Sequence, residues 1–224
     1  LVSPESRTFI DDIKIELRSL MGNEKISYKT PSSSTFKDYL EPFDVKESGV
    51  MVVKVFEDNI PSSDYEITFS KQKPLPAIDI NTRENGLKYK YFEGNWNKIP
   101  DFANEAAIKE GFIDDISSST SNRKENYGLV LSGNILIPEE NIYTFYLRSN
   151  DGSRLKIGGK IVSEINGKAG LDPIFAAPSR IALSKGFHSF EIEYFQSVTR
   201  NSLFVEIESS EIVKQEIPAS MLFK

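Results

Sequence analysis

The chain has 224 residues, a formal net charge of -6 and no cysteine, and 39 per cent of its residues are hydrophobic. This length and composition are typical of a globular protein with one large or two small domains. The negative charge argues against a nucleic-acid-binding protein, which needs a basic surface to neutralise phosphates. The lack of cysteine excludes disulfides, thiolate nucleophiles and cysteine-based metal sites.

The sequence shows no targeting signal. It also contains no uninterrupted apolar run of about 18 residues, so insertion into a membrane is not expected. Because it begins at Leu1 without a signal sequence, we expect the chain to be a mature or excised part of a longer protein.

Residues 1–77 are predicted to form a small β-sandwich of immunoglobulin or fibronectin type III shape. Apolar and polar residues alternate through Ile13–Leu17, Met51–Val55 and Tyr65–Phe69, which is typical of half-buried strands. The run Lys73–Ala77 contains two prolines, which fix an extended backbone and cannot join a central strand. We therefore expect a short stiff linker there and a domain boundary at about residue 77.

The second unit, residues 78–224, is also predicted to consist of strands. Alternating apolar segments are separated by loops rich in glycine, asparagine and serine. The segments lie at residues 86–96, 127–137, 142–148, 153–157, 180–183, 190–195 and 203–207. Residues 108–121 are polar and acidic and are predicted to form a long loop. The predicted fold class is all-β, with two β-sandwiches in tandem.

One segment of the second unit, Ile142–Ile157, is predicted to be a β-hairpin. Two apolar runs flank Ser149–Ser153, whose residue types favour a turn between antiparallel strands. Asn and Asp bond their own backbone in such turns, and Gly152 is expected to supply a positive φ. Asn150 and Asp151 would then lie exposed at the loop end of a sandwich, as candidates for a polar site.

Four groups of segments in the second unit follow one another in the order of a known domain family. They are residues 86–96 with 100–102, 137–157 with 159–162, 181–188 with 193–195, and 217–223. On these segments, residues 86–224 resemble the protective-antigen 14-kDa (PA-14) domain, a β-sandwich found in bacterial toxins, glycosidases and yeast adhesins. The resemblance implies a β-sandwich that binds carbohydrate.

The PA-14 resemblance also implies a metal site. In its carbohydrate-binding members two consecutive acids in the central turn hold calcium, and a second loop adds an asparagine. Those positions correspond here to Asn150, Asp151 and Asn201, so one acid is replaced by a neutral amide. Calcium affinity depends on the number of charged oxygen ligands. The sequence therefore predicts weak calcium binding or none, and the alternative that Asn150 and Asp151 only shape the turn stays open.

Aromatic and titratable residues offer a few further candidates. Trp96 is the only tryptophan and is a candidate for stacking on a sugar ring, although its place in the family favours a role in closing the sandwich. His188 is the only histidine, which excludes a histidine-based zinc cluster and leaves no triad. Adjacent acids such as Asp11 and Asp12 would point to opposite faces of a strand, and 33 acids in the chain make such pairs common by chance, so no catalytic residues are predicted.

The first unit is similar to the small sandwich at the C-terminal side of bacterial β-N-acetylhexosaminidases. The similar pieces are Ile26–Thr30, Tyr39–Phe43 and Val52–Phe56. Together the two resemblances imply a non-catalytic accessory region of a secreted, extracytoplasmic glycoside hydrolase, with a glycan or its own catalytic domain as partner. The alternatives are a structural spacer or docking module without ligand, and a cell-surface adhesin.

Overall fold

The computed structural model describes residues 2–20, 22, 24–58, 60–81, 84–117, 120–168, 172–198 and 202–224. The chain divides into two compact units, Leu1–Lys73 and Pro74–Lys224. Among the described residues the regular elements are strands, apart from two short 3-10 helices. The prediction of an all-β chain is confirmed. Within these ranges no helix is long and apolar enough to cross a membrane.

The first unit has nine strands among its described residues, and these form two sheets. The strands are β1 (Val2–Ser3), β2 (Thr8–Phe9), β3 (Ile13–Leu17), β4 (Lys25–Lys29), β5 (Lys37–Asp38), β6 (Phe43–Val45), β7 (Gly49–Glu57), β8 (Ile60–Pro61) and β9 (Tyr65–Lys71). One sheet has the order β1-β3-β6, and the other β2-β9-β7-β4-β5 with β8 on β7. Both sheets contribute to one core, since Ile15, Met51 and Phe69 are buried together.

The second unit has twelve strands among its described residues, and these form two sheets. The strands are β10 (Leu87–Glu93), β11 (Lys109–Ile113), β12 (Tyr127–Ile137), β13 (Asn141–Ser149), β14 (Ser153–Ile157), β15 (Lys160–Ile165), β16 (Ile174–Phe175), β17 (Ser179–Leu183), β18 (Gly186–Gln196), β19 (Leu203–Glu208), β20 (Gln215–Glu216) and β21 (Leu222–Phe223). The seven-stranded sheet runs β11-β10-β12-β18-β14-β15, with β21 on β12. The five-stranded sheet runs β16-β13-β19-β20, with β17 on β13.

Side chains from both sheets fill one core in the second unit. Leu129 and Tyr194 come from the larger sheet and Phe145 and Val205 from the smaller one, and all four are at most 3 per cent exposed. Inward residues alternate with outward ones along β13, β18 and β19, as the period of two in the sequence predicts. The result is a sandwich of two sheets.

The proline-containing segment after Lys73 is bonded to the second unit. The Leu75 amide donates to the Ala182 carbonyl at 2.9 Å, and the Ile78 amide donates to Phe187 at 2.8 Å. The prolines at 74 and 76 have no amide hydrogen to offer, but Leu75 and Ile78 supply the donors these contacts need. The division between the units therefore falls after residue 73, whereas the sequence placed it at about residue 77.

The strand β11 occupies part of the predicted loop at residues 108–121. It pairs along β10, with Tyr89 opposite Gly111 and Leu87 opposite Ile113. The segment is a sheet edge whose side chains are exposed or half-buried. Such an edge strand has no need of a strong apolar alternation, so its sequence resembles a loop.

The prediction of a hairpin at Ile142–Ile157 is wrong. β13 pairs with β16, β17 and β19 in the smaller sheet. β14 pairs with β15 and β18 in the larger sheet. The turn at residues 149–153 therefore carries the chain from one sheet of the sandwich to the other.

The true hairpin of this region joins β14 to β15 through Gly158 and Gly159. Ile157 lies opposite Lys160, and φ is 59° at Gly158 and 74° at Gly159. Two central residues with positive φ are the feature of a type I′ turn, whose twist matches that of the flanking strands. Glycine is needed here for its backbone conformation.

Substitutions at Gly159 test this turn, because no atom lies within 4 Å of a Cβ built at that position. Only backbone strain should then change the stability of a variant at this position. We expect Gly159→Val to lower the free energy of unfolding of the second unit by about 1–2 kcal/mol. Gly159→Asn should cost less than half as much, since asparagine tolerates positive φ. Urea unfolding followed by the fluorescence of Trp96 measures both, and equal losses would contradict the assignment.

Candidate functional site

The turn between the two sheets is a buried polar cluster. Ser149, Asn150, Asp151 and Ser153 are each at most 1 per cent exposed. The sequence predicted an exposed loop, but Phe195 and Ile99 pack over the turn, and the segment between β18 and β19 is bonded to it. Polar groups in such a place require hydrogen-bond partners within the protein.

Asn150 fastens the start of β19 to the turn. Its amide donates to the Ser202 carbonyl at 3.1 Å, and the Ser202 hydroxyl donates to Asn150 Oδ1 at 2.6 Å. This pair of bonds fixes both the backbone and the side chain of Asn150. The residue is therefore an anchor for the segment that precedes β19.

Asp151 fastens the other end of the same loop, just after β18. Its Oδ2 accepts the Ser197 amide at 2.7 Å. A carboxylate that accepts a backbone N–H makes a stronger bond than a neutral acceptor does. Ser149 Oγ donates to the Asp151 carbonyl at 2.5 Å and lies 2.7 Å from Ser153 Oγ. Hydrogen bonds within the turn, and others from the loop between β18 and β19, therefore stabilise it together.

Gly152 serves a different purpose from the one the sequence predicted, because its φ is not positive. A Cβ at this position would lie 2.3 Å from Phe195 Cε1 and 2.9 Å from Ile99 Cγ1. Glycine is needed because two side chains pack directly over the backbone of the turn. The Phe195 amide also donates to the Gly152 carbonyl at 2.9 Å.

Trp96 belongs to a small aromatic cluster next to this turn. It is half-buried and packs with Phe92, Phe102 and Phe195. Its ring meets Phe102 edge-on at 5.8 Å between centroids, and its Nε1 donates to Glu105 Oε1 at 3.3 Å. Phe92 and Phe195 alternate with core residues of β10 and β18. The cluster therefore covers the outer face of the larger sheet, outside the core between the sheets.

Several loops meet at this end of the second unit. Ser197 Oγ donates to the Trp96 carbonyl at 3.4 Å. The Ile99 amide donates to Asn166 Oδ1 at 3.1 Å, and Lys168 Nζ donates to Asn95 Oδ1 at 3.3 Å. The structure thus brings Asn150, Asp151 and the Trp96 segment together, whereas Asn201 lies outside the described residues.

Below the loop, a chain of buried side chains extends from the core to the loop backbone. The Tyr194 hydroxyl donates to Gln196 Oε1, and Gln196 Nε2 donates to the Val198 carbonyl at 2.5 Å. Burial raises the pKa of Tyr194, and the neighbouring Tyr127 and the charge of Asp151 raise it further. Sequence reasoning missed Tyr194, Gln196 and the serines; their only signal was polar residues at the ends of apolar strands.

The described residues alone do not make up a complete calcium site on the turn, and Asn201, the third predicted ligand, lies outside them. Oxygen atoms of Asn150 and Asp151 already accept hydrogen bonds from Ser202 and Ser197. Both side chains are almost fully buried. Among the described residues no group of three or more His, Asp or Glu side chains is placed to hold a metal, and a hard cation needs six or more oxygens.

The remaining candidates from the sequence lie apart from this cluster. His188 is buried, and its Nε2 donates to the Ser184 carbonyl at 2.8 Å, which is a structural contact. A cleft of about 900 Å³ lies in the first unit and is lined in part by Leu17, Val55, Ile60 and Tyr65. None of the predicted site residues borders it.

Comparison with known proteins identifies the second unit. The family model for the PA14 domain matches residues 83–220. No curated protein sequence matches the chain significantly. Among solved structures, a PA14 sugar-binding domain from an RTX adhesin is 20% identical with a TM-score of 0.51, and the match covers 62% of this chain and 98% of that one.

Two further solved structures extend the comparison. The PA14 domain of the MpAFP antifreeze protein is 16% identical with a TM-score of 0.53, covering 65% of this chain and 93% of that one. An anti-sigma factor domain-containing protein from Clostridium clariflavum is 15% identical with a TM-score of 0.50. That match covers 95% of this chain and 83% of the other. At these identities the likeness concerns the fold.

The packing over Gly152 can be tested with a matched pair of glycine substitutions. We expect Gly152→Ala to lower the free energy of unfolding of the second unit by about 1–3 kcal/mol, because the methyl group overlaps Phe195 and Ile99. Gly167→Ala, where a Cβ meets no atom within 4 Å, should change it by less than about 0.5 kcal/mol. Urea unfolding followed by Trp96 fluorescence distinguishes the two. Equal effects would refute the packing argument.

The burial of Tyr194 predicts a dependence of stability on alkaline pH. Its folded pKa is raised, whereas an unfolded tyrosine loses its proton near pH 10. The contribution of neutral, buried Tyr194 to the free energy of unfolding is therefore fully present below about pH 10. It is lost above that pH, because the unfolded state then binds fewer protons than the folded state. We expect the free energy of unfolding, measured by circular dichroism in urea, to fall less steeply above pH 10 in Tyr194→Phe. The control is Tyr65→Phe at an exposed site of the first unit, and an unchanged slope in Tyr194→Phe would contradict the assignment.

Proposed function

Because the chain belongs to the PA14 domain family over residues 83–220, we propose that its second unit is a non-catalytic carbohydrate-binding module. A structure of similar fold is described as a sugar-binding domain of an adhesin. That description supports the proposal, as does the gathering of polar loops at one end of the sandwich.

The observation that carries the proposal is the buried pair Asn150 and Asp151, which holds the segments before β19 and after β18. Two buried polar side chains order the ends of one loop and so reduce the conformational freedom that binding must remove. The rim next to this loop offers amides and an ammonium group from Asn95, Asn166 and Lys168. Such groups donate to and accept from sugar hydroxyls.

In this proposal Asn150, Asp151 and Trp96 position the rim. Asn150 and Asp151 are buried, and Trp96 packs on Phe102. The groups that contact the ligand are then the loop backbones and the exposed polar residues around them. A resident calcium ion is no part of the proposal, because Asp151 Oδ2 and Asn150 Oδ1 already accept hydrogen bonds inside the fold.

For the whole chain we propose an accessory region of an extracytoplasmic carbohydrate-active protein. The match to the Clostridium clariflavum protein, which covers both units, supports a role for the two units as a pair. A glycoside hydrolase of the β-N-acetylhexosaminidase class as parent, with its catalytic domain as an intramolecular partner, is the finer part of this proposal. It rests on the resemblance of residues 1–77 alone.

A structural role without ligand is the second candidate. It is favoured by one observation: the side chains that the family resemblance assigns to calcium, Asn150 and Asp151, are buried here and bonded to Ser202 and Ser197. In that case the second unit would serve as a spacer or docking module. Binding measurements separate the two roles.

The glycan-binding role can be tested with a panel of oligosaccharides titrated against the whole chain. We expect weak binding, and a roughly tenfold weaker affinity for Asp151→Ala, because the loop loses an anchor and must be ordered by the ligand. Asp114→Ala removes an exposed acid elsewhere and should leave the affinity unchanged. Circular dichroism verifies that each variant is folded.

Calcium forms a separate arm of the same experiment. Addition of calcium or of a chelator should change neither the affinity for glycan nor the melting temperature. A calcium ion bound to the folded state would raise the melting temperature, so an unchanged value indicates that none is bound. A calcium-dependent affinity would refute the proposed arrangement of Asn150 and Asp151. If the wild-type chain binds no glycan of the panel, the carbohydrate-binding function fails and the structural role remains.

A further inference from the structure

The outer face of the smaller sheet carries a cation held between two phenyl rings. Arg148 is the last outward residue of β13, and it lies opposite Phe175 on β16 and Phe204 on β19. Its guanidinium carbon lies 4.0 Å from the centroid of Phe204 and 5.4 Å from that of Phe175. We call these three residues the Arg148 platform.

Arg148 differs from the other charged groups of this sheet face. Lys214 pairs with Glu206 at 3.3 Å and lies over the ring of Tyr146, whose hydroxyl donates to Glu208. Over the described part of the chain, no carboxylate lies within ion-pair distance of the Arg148 guanidinium. Its fork of N–H donors is therefore available to a ligand.

The two rings order the guanidinium before any ligand arrives. Stacking on aromatic faces is favourable for arginine and limits its rotamers. A guanidinium in a fixed plane binds a carboxylate through two parallel hydrogen bonds. Phe175 is 69 per cent exposed, so an exposed apolar ring adjoins the cation.

This combination fits a ring that bears a carboxylate. Its carboxylate meets the Arg148 fork, and its C–H face rests on the exposed ring of Phe175. The platform also adjoins the loop end, since Ser149 follows Arg148 and lies opposite Leu203. We propose that the Arg148 platform binds acidic glycans, namely chains that contain uronic acid residues. This inference rests on the proposed carbohydrate-binding function and names its substrate class.

The net charge of -6 does not exclude an anionic ligand at this site. Charges farther away than about 8 Å are largely screened at physiological salt. The nearby acids Glu206 and Glu208 are already bonded to Lys214 and Tyr146. Among the described residues Arg148 has no ion-pair partner of its own, and binding of an anionic ligand to it should weaken as salt is raised.

The proposal is tested by titrating the whole chain with an oligogalacturonate and with its carboxyl-reduced counterpart. We expect the acidic oligomer to bind at least about tenfold more tightly, a difference worth about 1.4 kcal/mol. Arg148→Ala should abolish the preference. Arg148→Lys should restore only a small part of it, because an ammonium group lacks the planar fork. Phe175→Ala should weaken the binding of both oligomers.

Two matched substitutions serve as controls. Arg123→Ala removes a cation that is half exposed and paired with Glu93, and Phe112→Ala removes a ring that is 62 per cent exposed on β11. Neither should change the preference. Poly-L-glutamate presents carboxylates without a sugar ring, and equally tight binding to it would overturn the assignment to glycans.

The outcomes separate this inference from the proposed function. If the chain binds neutral glycans and shows no preference for the acidic oligomer, or if Arg148→Ala keeps the preference, the platform is not the site. The carbohydrate-binding function would then stand. If Arg148→Lys binds the acidic oligomer with full affinity, the positive charge and not the planar guanidinium accounts for the preference. That result also overturns the proposal. Binding to neither oligomer nor any neutral glycan would instead refute the carbohydrate-binding function itself.

Discussion

The structure of the second unit depends on a polar turn that is buried where the chain crosses from one sheet to the other. Burying Asn150 and Asp151 is unfavourable unless their oxygen and nitrogen atoms find partners. The partners are in the segment between β18 and β19, through Ser197 and Ser202. The crossover and that loop therefore order each other, and the neighbouring Trp96 segment joins them through Ser197.

This constraint also shapes how the module can bind a ligand. Side chains committed to hydrogen bonds inside the fold are poor ligands for a metal or a sugar. In the proposed carbohydrate-binding function, contact with the ligand therefore relies on other atoms. In the proposed function the loop rim provides such atoms, as does Arg148 on the adjoining sheet face, which has no ion-pair partner among the described residues.

Two glycine sites show how different demands give the same residue type. Gly159 is needed for its positive φ and has open space around it, whereas Gly152 has an ordinary φ and lacks space. A sequence pattern such as Asn-Asp-Gly cannot distinguish the two demands, because the difference lies in whether Phe195 and Ile99 pack over the turn. The sequence pattern likewise does not show that the turn crosses from one sheet to the other. Alternation shows that β13 and β14 are strands but not which strands they pair with.

The sequence by itself determined the all-β class, since a period of two appears in nearly every strand that contributes to the core. It also determined the family, because several motifs stand in one order along residues 86–224. Only the tertiary structure decided that Asn150 and Asp151 are buried, that β13 and β14 belong to different sheets, and that Arg148 lies between Phe175 and Phe204. The physical reason is that burial and pairing depend on partners far away in the sequence. Local alternation reports only which face of a strand a side chain occupies.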